Sequence, residues 1–410
     1  MHVRWVGRGD HEGYGIAGRE YVRLLDSAGH RVTWAPHLDR PDDWRSVMPG
    51  HVPTDDPVLL RALATPDDGA RVTVLHLFPD HLAPLIEQER RAGRRVVGYV
   101  TWETSLLPDG WADILNRLDA VMVPCTWNAE TFTAQGVRVP VHVVPHLPPS
   151  TIASPQDHER LRHRLPREIR ARIEAGAVVH YSIGTFTRRK GTDAVVRAFA
   201  RAFAGDREAL LLLKTTPTDV TRWRYGLPLG WYRWRPAPTR HHPTAQASVA
   251  RLLRSRRAPT VQVIGATDLS DGEIAALHDL GDVHLALPRS EGWGLGAFEA
   301  ALRGRPLVMT AASGQVDYLD PDLAWRVRST PVRAHEPGWA IPYRAGDRWA
   351  EPDVDHAAAL LREIHADPSA ARTRAETLAV RLRERFGPVA VQARLEAALS
   401  GDDDPRGGPS

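Results

Sequence analysis

The sequence predicts an α/β protein with two lobes, each built on a parallel sheet that helices cover on both faces. Three observations indicate this fold class. The chain has 410 residues, more than one ordinary domain holds. Short apolar runs alternate with helical patterns in two successive series. A stretch rich in proline and serine, residues 145–155, separates the two series and is interpreted, with the charged residues up to 174, as a linker.

The first series begins at the N-terminus. The apolar run 3–6 predicts a strand, and the pattern over 16–28 predicts a helix that Gly29 ends. Further strands of this series are predicted at residues 31–35, 72–77, 96–101, 120–123 and 141–144. The alternation predicts a first domain over residues 1–165.

The second series predicts a domain over residues 170–385. Its strands are predicted at 178–184, 210–214, 261–264, 283–287 and 307–310, and its helices at 192–204, 271–280 and 295–303. Residues 217–246 mix tryptophan and tyrosine with arginine and proline and are interpreted as an insertion. A last helix over 386–400 is expected to pack back on the first domain, and residues 401–410 are expected to be disordered.

Composition narrows the function class. Hydrophobic residues make up 42% and charged residues 25%, which is the range of globular proteins, and the net charge is only +3. No run of eighteen apolar residues predicts a membrane span, and arginines mixed with acids argue against a nucleic-acid partner. The N-terminus lacks a signal-peptide layout and Cys125 is the single cysteine, so a cytoplasmic location is expected.

A glycine-rich turn carries the strongest chemical signal. Gly292 and Gly294 flank Trp293 directly after a predicted strand, and a predicted helix begins at Leu295. Glycines let a backbone approach a ligand closely, and the start of a helix offers N–H groups and a positive dipole end. Such a turn is typical of sites that bind phosphate oxygens.

Two glutamates accompany this turn. Glu291 lies in the turn, where a sugar ring next to the phosphates would sit. Glu299 lies about one turn inside the helix, where its carboxylate can accept hydrogen bonds from two vicinal ribose hydroxyls. The alternative is that both are ordinary solvated acids. The combination with the glycines and Trp293 favours a binding site.

The segment 290–299 resembles the signature of retaining GT-B glycosyltransferases of family four. The shared features are two glutamates eight residues apart, a Gly-aromatic-Gly-Leu run after the first and an alanine-rich helix around the second. Residues 304–308 and Ser313-Gly314 resemble the turn, strand and loop that follow in this family. The resemblance covers most of the chain and is strongest over 178–320. It implies a GT-B fold, with two Rossmann-like domains facing each other across a cleft, and sugar transfer from a nucleotide-diphosphate donor with retention.

A basic loop provides the second family element. Residues 184–191 include Arg189 and Lys190, and lysine occurs elsewhere only at Lys214. The resemblance implies that Arg189 and Lys190 hold the donor pyrophosphate, because fixed cations stabilise the charge of a leaving diphosphate. Thr185 stands where the common family pattern has an arginine. The alternative is a solvated basic turn before a helix.

The first domain offers candidates for the other side of the reaction. Its loop over 7–15 has one residue too many for the dinucleotide fingerprint of dehydrogenases. Gly13, Tyr14 and Gly15 instead resemble the family's glycine-rich loop, which faces the donor phosphates and the acceptor.

Residues at the ends of two predicted strands are candidate acceptor contacts. Trp102 and Glu103 resemble a subgroup of the family that carries an aromatic residue and a glutamate here. Glu103 is a candidate to orient or deprotonate the acceptor, with an ordinary polar strand end as the alternative. Trp102 and Trp127 are candidates to stack on the acceptor, with packing inside the domain as the alternative.

Several points stay open at this level. The donor is expected to carry UDP first and GDP second, and the acceptor to be a small natural product or a glycan. No metal is expected, because the Asp-x-Asp patterns at 320–322, 353–355 and 402–404 do not follow strands and the histidines lack ligand spacing. A catalytically silent protein that binds sugar nucleotides is the alternative function. The oligomeric state does not follow from the sequence.

Overall fold

The computed structural model describes residues 1–10, 12–40, 43–222, 243–253, 258–265, 269–336 and 343–401. Contacts divide the chain into two compact units, Met1–Ser150 with Leu382–Ser410, and Thr151–Arg381. The change of unit near residue 150 comes earlier than the boundary expected at 165–170. Most of the predicted insertion, and residues 402–410 of the predicted tail, lie outside the described residues.

The first unit contains a seven-stranded sheet in the order β3-β2-β1-β4-β5-β6-β7. All neighbours pair in parallel except β3, which pairs antiparallel with β2 at the edge. The strand β3 and the second half of β2 were not predicted, because an edge strand needs only backbone pairing with one neighbour and tolerates polar sequence. The strands are β1 His2–Arg8, β2 Arg31–Arg40, β3 Asp43–Pro49, β4 Val72–His76, β5 Arg95–Tyr99, β6 Ala120–Val123 and β7 Val141–Val143.

Helices cover this first sheet. They are α1 Gly13–Ser27, α2 Pro57–Ala64, α3 Leu82–Arg91, α4 Trp111–Leu115, α5 Thr126–Ala134 and, from the end of the chain, α14 Pro388–Ser400. The core joins apolar side chains of the inner strands, such as Val3 and Val74, to Leu25 of α1 and to Val391 and Leu395 of α14. The last helix of the chain is therefore part of the first unit's core.

The second unit contains a six-stranded parallel sheet in the order β10-β9-β8-β11-β12-β13. Counted within the sheet, this is the order 3-2-1-4-5-6 of dinucleotide-binding folds. A short antiparallel hairpin, β14 with β15, lies apart from that sheet. The strands are β8 Val179–Ile183, β9 Leu210–Thr215, β10 Thr260–Gly265, β11 Val283–Ala286, β12 Leu307–Thr310, β13 Trp325–Val327, β14 Ser329–Arg333 and β15 Arg348–Pro352.

Two helices of the second unit occupy the predicted linker. Ser154 and Asp157 form a reciprocal capping box that starts the first of them. Arg164 at its end pairs with Glu273, with 2.7 Å between Nε and Oε1. Charged, proline-flanked sequence was interpreted as a linker because its few apolar side chains give a weak helical period. The helices of this unit are α6 Pro155–Arg164, α7 Arg167–Glu174, α8 Thr192–Ala202, α9 Ala245–Leu252, α10 Asp271–Leu280, α11 Leu295–Leu302 and α12 Val354–Ala366.

The long helix α13 Pro368–Phe386 begins in the second unit and ends in the first. Within the described residues, no helix has both the length and the apolar character needed to cross a bilayer.

Candidate functional site

The candidate site of the second unit lies where its sheet changes direction. Strands β8 and β11 are neighbours, but the chain continues from β8 toward one edge of the sheet and from β11 toward the other. The loops that follow these two strands therefore separate at their common end, which is where open α/β sheets bind ligands. These loops are the basic loop 184–191 and the glycine-rich turn 288–294.

The basic loop packs closely against the end of β11. Gly191 has a φ of +65°, and a Cβ built on it would lie 1.8 Å from the carbonyl oxygen of Leu287. Only glycine fits this contact. Gly191 also precedes α8 as its N-terminal cap, so the close approach sets where the loop ends and the helix begins.

Arg189 and Lys190 converge on Glu291. The Nζ of Lys190 lies 2.6 Å from Oε1 of Glu291, and Nη1 of Arg189 lies 3.1 Å from Oε2. The Arg189 guanidinium also donates to the carbonyl oxygen of Ser290 at 3.1 Å. Burial of Glu291 opposes its ionisation, but the charges of Lys190 and Arg189 outweigh burial and hold the pKa of Glu291 below its usual value. Glu291 is therefore an ionised, buried carboxylate between two cations.

The loop after β12 holds the backbone of Glu291. The N–H of Glu291 donates to Oγ of Ser313 at 3.0 Å, and the carbonyl of Glu291 accepts from the N–H of Gly314 at 2.9 Å. Ser313 has a φ of +54°, unusual for a residue with a side chain, and its Oγ donates in turn to Gln315. The sequence showed Ser313-Gly314 as a family match without its role, which is to hold the backbone of Glu291.

The start of α11 is partly exposed, whereas the aromatic residue before it is not. Trp293 is buried, with its ring centroid 5.1 Å from Phe298 and 5.2 Å from Tyr318. Gly294 has a φ of +89° and, like Leu295, is partly exposed. Of the residues expected to contact the donor here, Gly294 and Leu295 offer backbone at a helix start, while the Trp293 ring, like the buried Gly292, belongs to the packing beneath the turn.

Glu299 lies about one turn inside α11, and its side chain is buried. Arg303, one turn further along the helix, donates to Oε1 of Glu299 from Nε at 3.2 Å and from Nη2 at 3.0 Å. The His278 ring nitrogen Nε2 lies 3.4 Å from Oε2. Burial opposes ionisation of Glu299, but His278 and Arg303 outweigh it, so the pKa of Glu299 lies below its usual value. Glu299 is thus a charged, oriented carboxylate.

Two residues that the sequence analysis did not identify form hydrogen bonds to the backbone of the basic loop. Arg289 is buried and forms a bidentate pair with Glu351 of β15, with both N–O distances 2.6 Å. Glu336, also buried, accepts from the backbone of the basic loop. Arg289 is next to the signature and could have been noticed there. Glu336 has no local signal, because only the fold brings it to this loop.

In the first unit, the predicted loop 13–15 forms the first turn of α1. The low helix propensity of glycine made the sequence look like a loop. A Cβ on Gly15 would lie 2.0 Å from the carbonyl oxygen of Asp10, so this glycine serves close packing of the preceding turn. The Tyr14 hydroxyl donates to the carbonyl of Thr101 at 3.0 Å and accepts from its N–H at 2.9 Å, while Gly13 is exposed. Tyr14 thus ties α1 to the chain just beyond β5.

The two tryptophans expected at the acceptor differ in their surroundings. Trp102 is buried, donates from Nε1 to the carbonyl of Leu106 at 2.8 Å, and packs edge-on against Trp111 at 4.7 Å. Its ring therefore belongs to the core of the unit rather than to a ligand surface. Trp127, in the first turn of α5, and Glu103 are both partly exposed. They remain the accessible acceptor candidates.

A bound metal ion needs several ligand side chains close together. In the parts of the chain that the structure describes, no three His, Cys, Asp or Glu side chains cluster as a bound metal ion requires. Independence from metal stays a prediction.

A model of a known family matches part of the chain. The family described as "Family 4 Glycosyltransferase in conflict systems" matches residues 237–395, less than half of the chain. A sequence comparison with curated proteins finds no match.

Several solved structures match nearly the full length of this chain. Sucrose-phosphate synthase from Thermosynechococcus elongatus superposes with a TM-score of 0.62 at 16% identity, covering 98% of this chain and 100% of the other. HepE from Anabaena, in complex with UDP and glucose, gives 0.58 at 14% identity over 98% and 100%. A UDP-forming α,α-trehalose-phosphate synthase from Burkholderia xenovorans, in complex with glucose-6-phosphate, gives 0.59 at 13% over 98% and 100%.

The family match over residues 237–395 and the fold together confirm the predicted class, a glycosyltransferase with the GT-B fold, and are consistent with the resemblance to family four.

Proposed function

We propose that this protein is a retaining glycosyltransferase that moves a sugar from a nucleotide-diphosphate donor to a small natural product or a glycan without a metal ion. The observation that carries the proposal is the convergence of Arg189 and Lys190 on Glu291 beside the start of α11. Two cations, a carboxylate and a helix N-terminus at the end of one sheet suit a diphosphate with a sugar attached.

The cations would stabilise the leaving group. As the bond from the anomeric carbon to the diphosphate oxygen breaks, its electron pair passes to the diphosphate, where negative charge builds up. Arg189, Lys190 and the backbone N–H groups at Gly294 and Leu295 would bind this charge. These groups that would bind the leaving diphosphate all belong to the second unit.

The proposed transfer takes place on one face of the sugar. The acceptor oxygen, nitrogen or sulfur forms its bond to the anomeric carbon on the face that the diphosphate leaves. Its proton passes to a leaving phosphate oxygen, so no protein nucleophile takes part. Glu291 would accept hydrogen bonds from sugar hydroxyls, and its low pKa keeps it an acceptor at neutral pH. Glu103 would orient the acceptor, and Trp127 would offer it an aromatic face.

The donor is proposed to be a UDP-sugar first and a GDP-sugar second. Several similar structures are complexes with UDP, among them HepE from Anabaena with UDP and glucose and the pneumococcal O-GlcNAc transferase GtfA with UDP and GlcNAc. These complexes support the ranking. Glu299 would bind the ribose of either donor, because its ionised carboxylate can accept from two hydroxyls.

The proposal is tested by thermal shift and calorimetry with UDP, GDP, ADP and dTDP, each with and without its sugar. At least one diphosphate is expected to stabilise the protein, and release of diphosphate from the matching sugar nucleotide should follow once an acceptor is supplied. The anomeric configuration of the product, read by NMR, decides between retention and inversion. Stabilisation by none of the four would remove the donor site.

A variant separates ribose binding from phosphate binding. Glu299→Ala is expected to lower the affinity for UDP about tenfold, because the ribose hydroxyls lose a charged acceptor. Binding of 2′-deoxy-UDP, which lacks one of these hydroxyls, should change much less. Equal losses for the two ligands would take Glu299 out of ribose recognition.

A further inference from the structure

We infer that Glu336 is a positioning residue for the diphosphate site: its carboxylate holds the backbone that presents Arg189 and Lys190. The inference rests on the proposed function, since it concerns the same pair of cations. Glu336 follows β14 and lies far along the chain from the basic loop, yet the fold places the two in direct contact.

The N–H groups of the basic loop are paired one after another. Oε1 of Glu336 accepts from the N–H of Arg188 at 3.1 Å, and Oε2 accepts from the N–H of Arg189 at 2.8 Å. The N–H of Lys190 donates to Oγ1 of Thr187 at 3.2 Å. Hydrogen bonds to an ionised carboxylate are stronger than neutral ones, and two from one carboxylate fix both the position and the direction of the peptide units.

Arg289 binds the carbonyl groups of Arg188 and Arg189. Nη1 of Arg289 donates to the carbonyl of Arg188 at 2.6 Å, and the N–H of Arg289 donates to the carbonyl of Arg189 at 2.7 Å. Glu351 and Asp193 hold the Arg289 guanidinium in turn. Glu336 and Arg289, which we call the loop clamp, thus bind all four backbone polar groups of Arg188 and Arg189.

The loop clamp gives Glu336 a role distinct from that of Glu291. Glu291 contacts the cationic side chains themselves, whereas Glu336 contacts the peptide groups that carry them. Both clamp residues are buried, so a lost partner is not readily replaced by water. Without Glu336, the loop would retain its charges but lose the orientation of Arg189 and Lys190. Phosphate binding should then suffer while base and ribose contacts persist.

The experiment compares UDP with uridine, and GDP with guanosine, by calorimetry on the full chain. Glu336→Gln keeps one carbonyl acceptor, and Glu336→Ala keeps none. Both variants are expected to bind the diphosphate more weakly, the alanine variant by about ten- to hundredfold and the glutamine variant by less. The affinity for the nucleoside should stay within about twofold of the wild-type value. Glu208→Gln is the matched control, because Glu208 lies in the same unit with its side chain 85% exposed.

Each outcome decides the matter. A folded Glu336→Ala variant that binds the diphosphate like the wild type overturns the inference, and so do equal losses for diphosphate and nucleoside. If the alanine variant does not fold, the glutamine variant decides by the same ratio. A wild type that binds none of UDP, GDP, ADP and dTDP overturns the proposed function together with this inference, and if only ADP or dTDP binds, the comparison is made with that diphosphate and its nucleoside. A wild type that binds, with variants unchanged, overturns the role of Glu336 alone.

Discussion

The Nζ atom of Lys190 lies 2.6 Å from Oε1 of Glu291, so a lysine expected to bind donor phosphate is paired with the carboxylate expected to bind donor sugar. Arg189 shares that carboxylate through its other oxygen. The arrangement has a consequence for binding, because a diphosphate must compete with Glu291 for both cations.

The Glu291→Gln variant should therefore separate binding of the nucleotide from turnover of the sugar donor. Removal of the competing charge is expected to tighten UDP or GDP about fivefold, or about 1 kcal/mol. Transfer from the sugar nucleotide should fall at least about a hundredfold, because a carboxylate that binds the sugar hydroxyls is lost. Calorimetry and product release measure the two effects. Nucleotide binding and turnover that weaken together would contradict the competition.

Substitution of Gly191 should be costly, while that of Gly184 in the same loop should not. A Cβ on Gly191 would overlap the Leu287 carbonyl at 1.8 Å, and the substituted residue would have to keep a positive φ. A Cβ on Gly184 meets no atom closer than 3.9 Å. We expect Gly191→Ala to lower the free energy of unfolding by about 1–3 kcal/mol and Gly184→Ala to change it by less than about 0.5 kcal/mol. Urea unfolding measures both, and similar losses would show that the close approach does not matter.

The two tryptophans predicted at the acceptor, Trp102 and Trp127, should respond differently to truncation. Trp102→Ala removes a buried ring that packs on Trp111, so about 3–5 kcal/mol of stability should be lost. Trp127→Ala truncates a partly exposed ring and should cost less than about 1 kcal/mol. Thermal unfolding of the two variants makes the comparison. A Trp102→Ala loss no larger than that of Trp127→Ala would contradict the packing role of the Trp102 ring.

The pair of Arg164 with Glu273 should give a pH-dependent contribution to stability. Burial opposes ionisation of Glu273, but Arg164 and the N–H of Ser270 outweigh it and hold the pKa of Glu273 below its usual 4.5. Its contribution is therefore present above about pH 4.5 and is lost as the pH falls through the lower folded-state pKa. Glu273→Gln should cost about 1–2 kcal/mol at pH 7 and progressively less below pH 4.5.

Chemical unfolding at pH 7 and at pH 3.5 measures this dependence. Glu168→Gln, on the exposed surface of the first turn of α7, is the control and should change stability by less than about 0.5 kcal/mol at both values. A constant difference between wild type and Glu273→Gln at both values would mean that the ionised form contributes nothing.

The parallel strands and most helices were predictable because each carries its own period of apolar residues. β8, α8, β9, α10 and α11 all lie close to their expected positions. Several elements that were missed depend on partners elsewhere in the chain or on a cap: the edge strand β3, the hairpin β14–β15, and helix α6, which has a capping box and the contact of Arg164 with Glu273.

The fold class could be predicted from the alternation of strand and helix patterns. The candidate donor site could be predicted because Glu291, the turn glycines and Glu299 stand in one short segment and Arg189 and Lys190 are adjacent. The folded unit was needed to show that both cations pair with Glu291, that the Trp293 and Trp102 rings are core residues, and that Glu336 and Arg289 hold the basic loop. Burial and hydrogen bonding between distant segments depend on the packing of the whole unit, and no local pattern of residues encodes them.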